Sequence, residues 1–174
     1  MDADFAIQRR FDIGQRQVFV IDSGLTPAMV AMMQSIAARM PFRRTETDRE
    51  ESRQRAMVAN FDEGKLDRAT FIARIFDITT TLFTAEPLMI DRVHLNNNFY
   101  SDMAYPHRDS IDGGESVTAI LYANHRWDKD WGGETLFYDK FDEAVACVSP
   151  KSGRLVIFQQ PDRAQGLCAI PRVL

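Results

Sequence analysis

Ser116-Val-Thr-Ala-Ile-Leu-Tyr-Ala-Asn124, Glu134-Thr-Leu-Phe-Tyr138, Ala144-Val-Ala-Cys-Val148 and Arg154-Leu-Val-Ile-Phe158 are short runs rich in β-branched and aromatic residues. Runs of this length, bounded by turn residues, read as β-strands. The turn residues are Asp112-Gly-Gly114 before the first run, Gly132-Gly133 between the first two, and Ser149-Pro-Lys-Ser-Gly153 before the last. A further strand-like segment, Met89–Tyr100, precedes them. From residue 88 onward the chain is therefore expected to be mainly β, a small barrel or sandwich.

Upstream of residue 88 the period differs. Val18-Phe-Val-Ile-Asp22 reads as one more strand, ended by Ser23-Gly24. Thr26 then stands where a helix N-cap belongs and Pro27 at the first helical position, with Met29, Met33, Ile36 and Met40 recurring at helical spacing. A methionine stripe suits a core-facing helix face, and a soft binding surface is the alternative. Pro41 to Arg55 mixes both signs of charge without apolar periodicity and is expected to be a solvated loop, a short exposed helix or a lid. Asp67 to Phe83 reads as a second amphipathic helix with Phe71, Ile72, Ile75, Phe76 and Leu82 on its apolar side. The fold class expected is α+β to mainly β, in one domain over 1–174: a helical N-terminal part, 1–87, on a β core, 88–174.

Composition narrows the function. The net charge of −4 gives no electrostatic case for nucleic-acid binding. No apolar stretch approaches the ~18 residues a membrane span needs, and no signal-peptide pattern opens the chain. Cys147 and Cys168 form neither a C-x-x-C pair nor a zinc spacing, so the expected setting is a reducing, cytoplasmic one.

The chemistry concentrates in Tyr105-Pro-His-Arg-Asp-Ser110. His107 and Asp109 lie two residues apart, so on an extended segment both project to one side. Imidazole and carboxylate converging there form two-thirds of a 2-His-1-carboxylate triad, the arrangement that holds Fe(II) with open coordination positions. A hydrogen-bonded pair at a strand end is the plainer alternative. Trp127 and Trp131 flank the glycine pair and suit either packing or a substrate mouth; Gly132-Gly133 itself suits a hairpin turn.

Four motifs in order strengthen the metal reading: Pro106-His-Arg-Asp109, Val117-Thr-Ala-Ile-Leu-Tyr-Ala-Asn124, Gly132-Gly-Glu-Thr-Leu-Phe137 and Pro150-Lys-Ser-Gly-Arg-Leu-Val-Ile-Phe158. Over residues 88–158 this pattern resembles the Fe(II)/2-oxoglutarate-dependent dioxygenases, in particular their prolyl-4-hydroxylase-like branch. The resemblance implies a double-stranded β-helix (jelly roll) with flanking N-terminal helices. It makes His107 and Asp109 metal ligands, matches Tyr122 to the tyrosine that hydrogen-bonds the distal carboxylate of 2-oxoglutarate, and places Asn98 at a polar cosubstrate contact, with Asn96 and Asn97 as neighbours in register. Tyr122 as an ordinary core tyrosine is the alternative. The implied cofactors are Fe(II), 2-oxoglutarate and O₂, with ascorbate as an accessory reductant. The implied reaction is hydroxylation of a C–H bond on a peptidyl or small-molecule substrate, with release of succinate and CO₂. Halogenases of this fold lack the carboxylate that Asp109 supplies, so hydroxylation is favoured.

The pattern breaks after Phe158. The family expects a histidine and then an arginine; this chain reads Gln159-Gln-Pro-Asp-Arg-Ala-Gln-Gly-Leu-Cys-Ala-Ile-Pro-Arg-Val-Leu174. The core is thus expected to be C-terminally incomplete, lacking a closing strand or strands, the third ligand near Ala164 and the cosubstrate arginine. A frame-shifted or truncated tail is the cause expected: read one base later from codon 158, permitted codons yield FNSRIEHRACAPSRVF, with histidine in the slot of Ala164. His94 and His125 fall outside the third-ligand position. Asp162 is the nearby carboxylate in a two-ligand variant. A catalytically impaired jelly-roll binding or scaffold protein is the alternative function, and a cupin-like metalloenzyme the third.

Overall fold

A computed structural model describes residues 4–47, 55–61, 70–83, 87–99, 102, 104, 106–107 and 116–159. The described elements, in order, are β1 (Ile7–Ile13), β2 (Arg16–Ile21), α1 (Pro27–Ala37), β3 (Arg43–Glu46), β4 (Ala56–Asn60), α2 (Thr70–Leu82), β5 (His94–Asn96), β6 (Val117–Leu121), β7 (Thr135–Tyr138), β8 (Ala144–Val148) and β9 (Leu155–Gln159). They make a mainly β architecture with two helices and antiparallel sheets. β1-β2-β9-β6 form the central sheet, β3-β4-β5 a second, and the β7-β8 hairpin a third.

Two strands explain the layering. Val18-Phe-Val-Ile21 and Leu155-Val-Ile-Phe158 are continuous apolar runs because the central sheet is buried on both faces at this point. They pair antiparallel, Val18 opposite Phe158 and Ile21 opposite Leu155. Alternation then sends Ile21, Leu155 and Ile157 to one side, against Met33 of α1 and Phe71, Ile72 and Ile78 of α2. Val18, Val20, Val156 and Phe158 go to the other side, where they meet Tyr122, Phe137 and Val148. Phe137 packs edge-on against both Phe158 (5.4 Å) and Phe11 (5.6 Å), which seats the β7-β8 hairpin on the sheet. The order is helices, central sheet, hairpin.

α1 starts as its sequence dictates. Thr26 is extended, its Oγ1 accepts from the Met29 amide at 3.2 Å, and Pro27 follows at the first turn. Met33 is buried in the core, so the stripe is a packing face; the helix ends at Ala37, before Met40. α2 is described from Thr70, and the expected start at Asp67 lies outside the described residues.

Several expectations need correction. The charged stretch Pro41–Arg55 contains β3, whose Arg43 and Arg44 pair with Val58 and Met57 of β4. Its alternation is hidden because both strand faces carry polar side chains. The part before residue 88 is therefore not simply helical: it holds β1 to β4 as well as the two helices. β1 escaped because its outward residues are charged, yet Gly14 (φ 60°) opens a two-residue turn that pairs Ile13 with Arg16. Met89–Tyr100 contributes only β5, three residues long, with Tyr100 outside the described residues. Gly132-Gly133 is no hairpin turn, since β6 and β7 belong to different sheets; both glycines adopt positive φ (66° and 86°) where the chain crosses between layers. No helix among the described residues is long and apolar enough to cross a membrane.

Candidate active site

Tyr122 follows directly after β6 and joins the layers. Its amide donates to the Arg154 carbonyl (2.9 Å) and its carbonyl accepts from the Gly153 amide (3.0 Å), fixing the backbone to the turn before β9. The ring, 1% exposed, lies among Val18, Val20, Phe137, Val148, Val156 and Phe158. Its hydroxyl meets two groups that face each other across the β7-β8 ladder: the Thr135 hydroxyl, in a short contact, and the Val148 carbonyl at 3.3 Å. Burial pushes the phenol up to about 12, against a weaker lowering by Thr135, so it stays protonated at neutral pH. Thr135 is wholly buried. It had no role in the sequence reading, although it is the threonine of Gly132-Gly-Glu-Thr.

The segment leading to His107 is anchored on the β3-β4-β5 sheet. The Asn97 amide donates to the Met57 carbonyl at 2.8 Å, and Asn98, next along, is buried, whereas Asn96 and Asn97 are half-buried. Asn98 is thus the inward member of the three asparagines. Beyond it, Asp102 accepts the Phe99 amide (2.9 Å) and both terminal nitrogens of Arg44 (3.1 Å each), while the Arg44 guanidinium lies 5.7 Å from the centre of the Phe99 ring. This bidentate clamp ties the approach of the candidate site to β3. It was missed because Arg44 and Asp102 are 58 residues apart.

His107 is half-buried and forms a single β-bridge. Asp109 and Ala164 lie outside the described residues, as does Asp162. Among the described residues no three His, Cys, Asp or Glu side chains gather into a metal-holding group. The donor chemistry at 107–109, imidazole with carboxylate, fits a divalent first-row metal in kind, and the side chain of Ala164 carries no donor. His94 is exposed at the start of β5 and His125 is exposed beyond β6. Trp127 and Trp131 pack on each other edge-to-face, centroids 5.9 Å apart, and Trp127 Nε1 donates to the Gly132 carbonyl at 3.0 Å. Their mutual packing holds the loop between β6 and β7.

A mainly β, antiparallel protein with an inward tyrosine and a histidine at a strand bridge is consistent with a β-rich oxygenase. Residues 94–169 match the model of the 2OG-Fe(II) oxygenase superfamily. The match supports that superfamily, and with it a dioxygenase-type oxidoreductase using Fe(II), 2-oxoglutarate and O₂. It takes in Asn98, His107, Asp109, Tyr122 and Thr135, and it runs past Phe158 across Ala164. No curated protein and no solved structure matches the chain.

Proposed function

We infer that the chain is an Fe(II)- and 2-oxoglutarate-dependent hydroxylase of the prolyl-4-hydroxylase-like branch, built on a jelly-roll core and working in a reducing, cytoplasmic setting. The observation that carries this reading is the superfamily match over 94–169, which takes in β5 to β9 and contains both residues of the H-x-D pair. His107 and Asp109 would hold the metal, and Tyr122 and Asn98 would contact 2-oxoglutarate. The bound metal and cosubstrate supply the oxidising power, with ascorbate as accessory reductant. Decarboxylation of 2-oxoglutarate leaves one oxygen atom of O₂ in succinate and the other in a hydroxylated peptidyl or small-molecule substrate. The protein's part is to orient these groups and to enclose them.

The test is succinate formation from labelled 2-oxoglutarate with Fe(II) and O₂. Turnover without added substrate is expected and should vanish in His107→Ala. Equal succinate formation by His107→Ala and the parent chain would refute the assignment.

A second reading is favoured by one observation, the alanine at position 164. On that reading the chain keeps the fold as a binding or scaffold protein without redox chemistry. Metal titration separates the two: no Fe(II) or Mn(II) bound in excess metal supports the scaffold.

A further inference from the structure

Two hydroxyls and one carbonyl meet where the central sheet touches the β7-β8 hairpin, and their hydrogen bonds can be counted. Tyr122 and Thr135 each have one proton to donate. If Tyr122 donated to Thr135, the Thr135 proton would have nowhere to go, because among the described residues the Thr135 hydroxyl meets only the Tyr122 oxygen, whereas the Tyr122 hydroxyl also reaches the Val148 carbonyl. The arrangement that uses both protons is a chain: Thr135 donates to Tyr122, and Tyr122 donates to the Val148 carbonyl. The first link is short and the second, at 3.3 Å, is beyond the usual range for a hydroxyl donor. The phenol proton is therefore held on the weakest link. A carboxylate offers a charge-assisted acceptor about twice as strong as a neutral one, so it would draw that proton away from Val148. The Thr135 proton would still be fixed on the phenol oxygen, leaving the Tyr122 donor free to turn outward.

We propose that Thr135 is a positioning residue for cosubstrate binding: its hydroxyl, donating to Tyr122, aims the phenol proton at the distal carboxylate of 2-oxoglutarate. This rests on the oxygenase reading above. The raised phenol pKa agrees with it, since a protonated donor is what the role demands. The Tyr122 ring cannot take another path without leaving its apolar setting, because the backbone on either side of it is bonded to Arg154 and Gly153.

The experiment uses the full chain with ¹³C-labelled tyrosine rings, loaded with Zn(II) as a redox-inert metal, and follows the Tyr122 resonance (identified by its loss in Tyr122→Phe) by NMR. Titrations with 2-oxoglutarate and with pyruvate, which lacks the distal carboxylate, are run on the parent, Thr135→Val and Thr135→Ser. Losing one neutral hydrogen bond that orients a donor corresponds to a weakening of about 3- to 10-fold. Thr135→Val should therefore weaken 2-oxoglutarate by about that factor and leave pyruvate unchanged, and Thr135→Ser should restore parental affinity. If Thr135→Val lowers the melting temperature but leaves the preference for 2-oxoglutarate over pyruvate intact, the contact is only a strut and the proposal is overturned. Equal weakening of both ligands overturns it as well. If the parent chain itself binds no 2-oxoglutarate, the oxygenase reading fails and this role falls with it.

Discussion

Asp22→Asn is expected to lose about 2 kcal/mol of stability at neutral pH, and the loss should fade in acid. Asp22 ends the buried run of β2. Its carboxylate accepts from Arg154 Nε (2.6 Å) and Nη2 (3.1 Å) and from Lys151 Nζ (2.8 Å). Asp22 and Arg154 side chains are each only 16% exposed, whereas Lys151 is well exposed and contributes less. Hydrogen bonding from Arg154, ahead of Lys151 and against some desolvation, lowers the carboxyl from 3.8 to about 2. A shift of that size corresponds at most to ~2.5 kcal/mol, and partial solvent contact reduces the ion-pair share to about 1 kcal/mol. Asparagine keeps one acceptor oxygen but leaves the guanidinium short of a counter-charge, with the Ser149 carbonyl (2.7 Å) still accepting from it, which adds ~1 kcal/mol. Because the folded carboxyl is more acidic than the unfolded one, this stability is present above pH ~4 and is lost as pH falls toward about 2. Urea denaturation of both proteins at pH 7, and again near the lower limit, reads the effect as a difference in midpoint at constant slope. A difference below ~0.5 kcal/mol at pH 7, or one that does not shrink in acid, would refute the account of this cluster.

Phe158→Ala removes a fully buried ring that packs on Phe137 and should cost about 4 kcal/mol, measured by the same denaturation; a cost under ~1.5 kcal/mol would mean the hairpin is not seated on β9 as described. Ala164→His should strengthen Mn(II) binding by at least ~10-fold, as a third ligand would, and the gain should disappear when His107→Ala is added. An unchanged affinity would show that position 164 is not where the metal site is open.

The helix-side core was legible because two local signals coincide there: a capping threonine followed by proline, and apolar residues at helical spacing. β2, β6, β7, β8 and β9 were legible to within three residues because continuous or alternating apolar runs are bounded by polar or turn residues. β3 and β1 were not. Their stability comes from pairing with a neighbour and from contacts such as Arg44 with Asp102 and Arg9 with the Cys147 carbonyl, which involve partners far away in the chain. At the candidate site, the sequence named Tyr122 but not its donor, since Thr135 looks like any strand threonine until the two sheets are superposed. Asn98 was distinguishable from Asn96 and Asn97 only by burial, which depends on how the end of β5 meets its surroundings.

β9 is common to both cores, and this decides how variants at the site can be read. Its residues alternate between the helix side, Leu155 and Ile157, and the Tyr122 side, Val156 and Phe158. A substitution that loosens β9 therefore disturbs stability and the Tyr122 setting together, and lost activity would carry no mechanistic information. Thr135 is different. It is wholly buried on β7 and reaches the central sheet through the Tyr122 hydroxyl. Replacing it by valine keeps the volume while removing one hydroxyl, so the cost to folding should stay near that of a single hydrogen bond, ~1 kcal/mol. That separation is what allows a change in ligand preference at Thr135 to be assigned to proton placement rather than to unfolding.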